Sequence, residues 1–210
     1  MSSINEEKFY KIYRSRKTIL EKLEDEGCDN VNNEKLTFEE FYNKYYNDNL
    51  DERQFKKSLT MTFIKNKNKI RVYWYEEPKL GTEFRNIVQE LKDDDIQRSI
   101  IIIEVSVTPH AKQTLKELRI NGIYIDVFLI NELQVNISHN YLVSKHIICS
   151  QEEKLSVMKT YKVDRSQLMG IKASDPMAKY IGAFKGQLIK IIRDSDIMEG
   201  EKTIAYRLVV

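Results

Sequence analysis

The sequence predicts an α+β protein of two modules: a larger N-terminal module with a small mixed sheet and helices, and a smaller C-terminal α/β module. Apolar side chains recur at three and four positions in residues 9–23, which is the spacing of an amphipathic helix. Residues 58–63 and 70–74 place apolar side chains at every second position, as half-buried strands do. Beyond residue 174, one short helical segment precedes two strand-like runs. Helical and strand periods therefore occur in both parts of the chain.

The chain begins with two predicted helices. The first covers residues 9–23 and ends at Gly27, because glycine is common just beyond a helix. The second begins at a capping box, in which the side chains of Thr37 and Glu40 each accept a hydrogen bond from the other residue's backbone N–H. Its single aromatic face is expected to pack in the core. That face consists of Phe38, Phe41, Tyr42 and Tyr45.

The middle of the chain predicts a small mixed sheet with helices packed on it. A polar turn joins the first two strands of this sheet. An apolar strand, a helix and another strand then form a β-α-β unit, and such a unit requires parallel strands with the helix packed across them. The expected elements are strands 58–63 and 70–74, a helix through Phe84 and Leu91, strand 100–105, helix 109–118 and strand 123–128.

The modules are predicted to meet near Val143, so that they comprise residues 1–143 and 144–210. A second capping box, formed by Ser150 and Glu153, opens a helix soon after this boundary.

The last part of the C-terminal module is predicted to run helix, strand, turn, strand. Asp175 can cap a helix that Pro176 begins and Gly182 ends, because proline suits the first helical turn and glycine the left-handed residue beyond the last. Residues 187–193 and 203–209 are expected to be strands that pair as a hairpin across a polar turn.

The composition indicates an intracellular, soluble protein without a targeting segment. Its 34 basic and 32 acidic side chains nearly cancel to +2, which excludes a protein that coats nucleic acid along its length. Only two cysteines occur, so neither a disulfide framework nor a cysteine-rich zinc site can form. No stretch approaches the roughly 18 apolar residues of a membrane span, and we expect no membrane partner. Frequent Asn, Lys and Ile resemble the usage of A+T-rich genomes, including those of some parasites and large DNA viruses.

No catalytic or metal-binding pattern stands out, and we expect no active site, metal or cofactor. A mixed sheet containing Glu104 is compatible with a metal-dependent nuclease, but such sites need a lysine two residues after the acid, where this chain has Ser106. The three histidines, His110, His139 and His146, are not spaced at three or four as helical zinc pairs are. A nucleophile elbow and a glycine-rich phosphate loop are both missing from the sequence.

Three segments of the chain carry one recognisable pattern. The C-terminal positions of this pattern are His146, Tyr161, Gln167, Asp175, Pro176, Ala178, Tyr180, Gly182, Gly186, Gln187, 190–193 and 206–209. Together with residues 13–18 and 108–113, they resemble the fifth-subunit family of eukaryotic nuclear RNA polymerases, whose short archaeal relatives consist of the C-terminal module only. The chain departs from the family pattern at His110, Asn140, Ser144, Met169 and Lys179. Lysine in place of arginine at position 179 keeps the charge but loses the planar fork that binds a carboxylate with two hydrogen bonds.

The resemblance implies a non-catalytic subunit of a DNA-directed RNA polymerase. Its C-terminal module would dock on the largest subunit, beside other polymerase subunits, and its N-terminal module would form part of the jaw near downstream duplex DNA. Phosphodiester chemistry and its Mg²⁺ would belong to other subunits. The location would be the nucleus, or a cytoplasmic viral factory or virion if the source is a large DNA virus. The implied interface residues are His146, Asp175, Pro176, Lys179, Tyr180, Gly182, Lys185, Gly186, Arg193, Tyr206 and Arg207.

The segment that the resemblance places near DNA consists of Thr108, Pro109, His110, Lys112 and Gln113. Its simpler interpretation is a well-capped helix start, since threonine caps and proline suits the first turn. In the functional interpretation, the helix N-terminus and Lys112 contact a DNA phosphate without reading the base sequence. For the whole chain, the alternatives are a free-standing nucleic-acid-binding protein and a degenerate nuclease.

Overall fold

A computed structural model describes residues 5–46, 51–81, 84–194 and 202–210. The chain divides into two compact units, Met1–Val135 and Asn136–Val210. Both units contain helices and strands, which confirms the predicted α+β class. The module boundary that the sequence places near Val143 stays a prediction.

The N-terminal unit combines helices with one four-stranded sheet. Its helices are α1 (Glu6–Asp25), α2 (Phe38–Tyr45), α3 (Glu52–Ser58), α4 (Phe84–Asp93) and α5 (Pro109–Ile120). Its strands are β1 (Met61–Lys65), β2 (Asn68–Trp74), β3 (Lys79–Leu80), β4 (Arg98–Ile103), β5 (Ser106–Val107) and β6 (Tyr124–Leu129). Short 3₁₀ turns cover Val31–Glu34 and Ile130–Leu133.

The main sheet has the strand order β1-β2-β4-β6. Strands β1 and β2 are antiparallel, whereas β2, β4 and β6 run parallel to one another, so the predicted mixed sheet and its β-α-β unit are confirmed. The β1–β2 turn is shorter than expected. Only Asn66 and Lys67 separate the strands, and both have positive φ, as the favoured two-residue hairpin turns require.

The central strand β4 is buried on both faces. Ile100 and Ile102 belong to a core formed with α1, α2 and α3, while Ile101 and Ile103 belong to a second core formed with α4 and α5. Side chains alternate between the two faces of a strand, so a strand covered on both faces is apolar throughout. This accounts for the uninterrupted isoleucine run in the sequence.

An aromatic cluster joins the first three helices. Phe9 of α1 stacks on Phe55 with ring centroids 5.1 Å apart and lies 5.0 Å from Phe41. The capping box at Thr37 and the aromatic face of α2 are as predicted. Helix α3 and the two-stranded β3–β5 sheet were not predicted from the sequence, because each is too short to show a period.

Glu26, just beyond α1, anchors that helix to the sheet. Its carboxylate is ion-paired with Lys22 of α1, with Arg98 of β4 and, at 3.6 Å, with Lys65 of β1. The side chain of Lys22 is fully buried. Burial favours the neutral acid, but the bonds from Arg98 and Lys22 outweigh it and lower the pKa of Glu26 from 4.5 to about 2. This ionic contact connects three elements that are distant in sequence.

The C-terminal unit is built on a second four-stranded sheet. Its strands are β7 (Lys145–Ile148), β8 (Gly170–Ile171), β9 (Leu188–Asp194) and β10 (Lys202–Val209), and its helices are α6 (Gln151–Tyr161) and α7 (Pro176–Tyr180). A 3₁₀ turn covers Ile137–His139. The sheet order is β7-β9-β10-β8, with β9 antiparallel to β7 and β10, and β8 parallel to β10. The predicted strand pair is confirmed, whereas residues 195–201 of its turn lie outside the described residues.

We predict that Glu26→Gln destabilises the N-terminal unit by about 3–5 kcal/mol at neutral pH, because it removes the carboxylate that is ion-paired with buried Lys22 and with Arg98. In the wild type, a lowered carboxyl pKa gives stability that is complete above pH 4.5 and is lost as the pH falls toward about 2. The variant should lack this component. The unfolding of this unit can be followed by the fluorescence of Trp74, the only tryptophan, because its side chain is buried in the core that α1, α2 and α3 form with the sheet.

Glu24→Gln is the matched control for this measurement. Glu24 lies on the same helix and pairs with Lys35, but both side chains are exposed. Exposed pairs contribute about 0–1 kcal/mol, so this variant should unfold near the wild type. Equal stabilities for the two variants would contradict a structural role for the Glu26 contact.

Candidate functional site

Helix α7 lies among the predicted interface residues and is closed at both ends. The Asp175 carboxylate accepts hydrogen bonds from the backbone N–H groups of Met177, at 2.9 Å, and Ala178, at 3.2 Å. Pro176 occupies the first helical turn, where its missing N–H costs nothing. Gly182 then takes a left-handed φ of 70°. The predicted cap, first turn and termination of this helix are therefore all confirmed.

The C-terminal end of α7 forms a Schellman motif. The Ala183 N–H donates to the Ala178 carbonyl at 2.8 Å, and the Gly182 N–H donates to the Lys179 carbonyl at 3.1 Å. Ala178 and Tyr180 are buried, while Lys179 is half-buried. Tyr180 thus packs mainly inside the unit, and its assignment to the interface stays a prediction.

Gly186 sits where the chain enters β9 and has a φ of 95°. Its N–H donates to the Val209 carbonyl at 2.8 Å, and its own carbonyl accepts from the Lys154 Nζ at 2.7 Å. A side chain here would meet the Arg165 guanidinium at 3.0 Å. Glycine is needed at this position both for its backbone conformation and for space.

The sheet register places several of the predicted residues on one face. His146 pairs with Ile191, Arg207 with Ile189, and Arg193 with Thr203, so these side chains share the face that carries α7. His146, Asp175, Arg193 and Arg207 line one cleft of about 520 Å³. We call it the polar cleft. Its remaining lining residues are Gly170, Ile171, Lys172, Ser174 and Ile191.

Hydrogen bonds orient two side chains of the polar cleft. The His146 Nδ1 lies 2.6 Å from the Ser144 carbonyl oxygen. A carbonyl only accepts, so Nδ1 donates this hydrogen bond. The Arg207 guanidinium donates to the Gly170 carbonyl at 3.3 Å, between β10 and β8.

The opposite face of this sheet exposes apolar side chains, of which Tyr206 alone is among the predicted interface residues. Ile147 and Ile204 are 39% and 49% exposed, and the Tyr161 ring, 62% exposed, lies 6.1 Å from the Tyr206 ring. We call Ile147, Tyr161, Ile204 and Tyr206 the apolar strip. The signal for this face lies in β10, where Ile204, Tyr206 and Leu208 alternate on the side opposite Arg207. Lys185, another predicted interface residue, is exposed in the turn before β9.

In the N-terminal unit, the predicted DNA-proximal segment forms the start of α5. The Thr108 Oγ1 accepts from the Ala111 N–H at 3.3 Å and donates to the Leu80 carbonyl at 2.9 Å. Pro109 is in the first turn, and that turn contains no acidic side chain. His110 and Lys112 are exposed. The Gln113 amide donates to the Glu117 carboxylate at 2.9 Å, so it is partly engaged within the helix.

Comparison with known proteins relates both units to one family. The model of the family described as RNA polymerase Rpb5, C-terminal domain, matches residues 135–209. A protein of Caenorhabditis elegans named DNA-directed RNA polymerases I, II, and III subunit RPABC1 is 34% identical over 206 residues, covering 96% of each chain. The chain belongs to the Rpb5 family. The resemblance that the sequence indicated is thereby confirmed.

Two further relatives agree. The Dictyostelium discoideum protein named DNA-directed RNA polymerases I, II, and III subunit rpabc1 is 38% identical over 160 residues, which is 74% of this chain and 80% of that protein. The Arabidopsis thaliana protein named DNA-directed RNA polymerase subunit 5-like protein 1 is 30% identical over 199 residues, covering 92% and 93%. The match of these Rpb5-family proteins therefore extends beyond the C-terminal unit.

Glu104, the acid that a nuclease site would use, is engaged in an ion cluster. Its carboxylate lies 2.6 Å from the Nζ of buried Lys56 and 3.0 Å from the Lys8 Nζ. Glu52 completes the cluster, at 2.8 Å from Lys56 and 2.6 Å from Lys8. Burial favours the neutral acid, but hydrogen bonds from the two lysines outweigh it and lower the pKa of Glu52 to about 2. The cluster joins α1 and α3 to the end of β4.

Within the described ranges, no three His, Cys, Asp or Glu side chains come together as a group that could hold a metal ion. The helices of those ranges likewise include none with the length and apolar character needed to span a membrane.

We predict that Asp175→Ala costs about 0.5–2 kcal/mol by removing the α7 cap, and that docking suffers more than folding. Amide hydrogen exchange at Met177 and Ala178 should accelerate, since both N–H groups lose their acceptor. Asp175→Asn keeps a capping oxygen and should stay near the wild type.

The control is Asp164→Ala, an exposed acid in a loop of the same unit. Affinity for the largest polymerase subunit and the thermal midpoint of the chain are measured together for all three variants. A large fall in the midpoint of Asp175→Ala with affinity preserved would show a cap that supports folding only.

Proposed function

We propose that this Rpb5-family chain is a non-catalytic subunit of a DNA-directed RNA polymerase, and that its C-terminal unit docks on the largest subunit. The observation that carries the proposal is the relatives' identity of 30–38%, which extends over both units and not over the C-terminal unit alone. Those relatives are named as subunits of DNA-directed RNA polymerases. The proposed location is accordingly the nucleus, or a viral factory or virion for a large DNA virus.

The C-terminal unit offers a surface suited to docking. A short helix fixed by caps at both ends needs little further ordering when a partner binds. The polar cleft on one face of the sheet and the apolar strip on the other supply polar and hydrophobic contacts. Exposed apolar side chains and exposed arginines are each common at protein interfaces.

A non-catalytic role agrees with how the acidic side chains are used. Glu26, Glu52 and Glu104 are each bound to buried or half-buried cations, which favours structural roles for these carboxylates. The Mg²⁺ and the phosphodiester chemistry of the enzyme are then supplied by other subunits.

The first test is co-purification. The tagged chain, expressed in its source, should recover the largest polymerase subunit at a ratio close to one, as measured by native mass spectrometry. Recovery of the chain alone, with sequence-independent affinity for nucleic acid, would support the free-standing nucleic-acid-binding protein instead.

We further propose that the start of α5 faces downstream DNA in the assembled enzyme. The supporting features are its N-terminal helix dipole, the lack of acidic side chains in the first turn, and exposed Lys112 and His110. Such a contact grips the phosphate backbone without reading base sequence.

We predict that Lys112→Ala in the assembled polymerase lowers the slope of log affinity for downstream DNA against log salt by about one. Loss of one phosphate contact accounts for this change, and sequence preference should stay the same. Lys116→Ala, one turn further along the exposed side of α5, is the matched control. An unchanged slope for Lys112→Ala, with helix content intact by circular dichroism, would leave Lys112 as a solvated side chain.

The C-terminal module is proposed to be sufficient for docking. Fragment 144–210 contains all four strands of its sheet, whereas fragment 136–210 adds the 3₁₀ turn, which contacts α7. We predict that both fragments bind the largest subunit and that 136–210 is the more stable in thermal unfolding. A folded fragment 136–210 that fails to bind in pull-down would refute sufficiency.

A further inference from the structure

The polar cleft gathers positive charge from separate elements of the C-terminal unit. Arg193 comes from β9, Arg207 from β10 and Lys172 from the loop after β8. Over the described residues of the chain, none of these three side chains is ion-paired with a carboxylate. The Arg207 guanidinium donates a hydrogen bond to the backbone carbonyl of Gly170. Three cations therefore share one cleft, and no carboxylate among the described residues is ion-paired with them.

Among the described residues, Asp175 is the single acid that lines the cleft, and one of its oxygens accepts hydrogen bonds from α7. Its Oδ1 accepts from two backbone N–H groups at the start of the helix. Beside His146, the lining carries three positive charges against one negative. Cations brought together in this way favour an anionic occupant by charge complementarity.

The shape of the cleft and its apolar lining residues favour a carboxylate side chain over a nucleic acid backbone as the occupant. Nucleic acid requires a line of basic groups that follows successive phosphates. Here the basic groups converge on one cleft of about 520 Å³ that Ile171 and Ile191 also line. An Asp or Glu side chain matches both features, because its methylene stem packs on apolar surface while its carboxylate accepts paired hydrogen bonds from guanidinium groups.

We propose that the polar cleft receives the carboxylate of an Asp or Glu side chain presented by the polymerase subunit on which the chain docks. Arg193 and Arg207 bind the carboxylate, Lys172 adds positive charge at the rim, and Asp175 holds the adjacent helix in place. This inference rests on the proposed docking of the C-terminal unit, and it specifies which chemistry of the partner is recognised.

The test compares the affinity of the full chain and its variants for the purified largest subunit by titration calorimetry. The double variant R193Q/R207Q should bind at least about a hundredfold more weakly, because each charge-assisted hydrogen bond accounts for roughly tenfold to hundredfold in affinity. The wild-type affinity should fall as NaCl is raised, and that of the double variant should fall less. R85Q, which removes an exposed arginine of α4 in the N-terminal unit, is the matched control and should bind as the wild type does.

A second pair of variants separates charge from geometry. R193K and R207K keep the positive charge but lose the planar fork, so each should lie between the wild type and the double variant. Arg193 is exposed, so its replacement should leave the thermal midpoint unchanged even if Arg207, bonded to the Gly170 carbonyl, also supports the fold.

Failure of the carboxylate proposal and failure of the docking proposal give different results in this titration. Wild type and R193Q/R207Q that bind the largest subunit equally would overturn the carboxylate proposal while leaving the docking proposal intact. A wild type that does not bind would reject docking, and the carboxylate proposal with it. Duplex DNA of random sequence is the remaining probe: variants that lose DNA binding but keep subunit affinity would assign the cleft to phosphate, contrary to the proposal.

Discussion

The constraint on which the N-terminal unit depends is the burial of strand β4 on both faces. Ile100, Ile101, Ile102 and Ile103 are all at most 1% exposed. Burying one such side chain contributes about 1.5–3 kcal/mol, and this gain exists only if helices cover both faces. Helices α1 and α2 cover one face and α4 and α5 the other. The start of α5, where DNA contact is proposed, is thus positioned by its packing on the sheet.

The C-terminal sheet obeys a different constraint. One face carries α7 and a small core of Ala178, Ala183, Ile189, Ile191 and Val209. The other face leaves Ile147 and Ile204 substantially exposed, and α6 contains no fully buried residue. A sheet that is apolar on both faces but well covered on one gains free energy when a partner covers the other. The fold of this unit therefore favours association.

Periodicity made the long elements predictable and left the short ones out. Helix α1 and the strand pair β9–β10 follow from residue spacing, and the caps at Thr37, Ser150 and Asp175 follow from short motifs. The two-residue strands β3, β5 and β8 exist only because a neighbour pairs with them, so no local pattern specifies them. Strand β7 was missed because Lys145–Ile148 is only four residues long.

Contacts between residues that are far apart along the chain cannot be predicted from the local sequence pattern. Nothing in the sequence near Glu26 indicates that its partner is Arg98. The two residues meet only because the start of β4 lies beside the end of α1. The polar cleft has the same origin. The sequence indicates Arg193 and Arg207 only as separate residues. The antiparallel register of β9 and β10 brings them to one face. Lys172, which the sequence does not indicate, lines the same cleft.

The short helix α7 shows how local chemistry fixes an element of the proposed docking surface. Five residues are too few to hold a helix by propensity, because nucleation costs more than one turn recovers. The helix persists because Asp175 closes its first turn and the Schellman bonds at Gly182 close its last. A partner that binds beside it need not supply that ordering energy. At Lys179, half-buried on this fixed helix, the charge is a compact ammonium instead of a guanidinium fork, so a contact made there depends on distance more than on orientation.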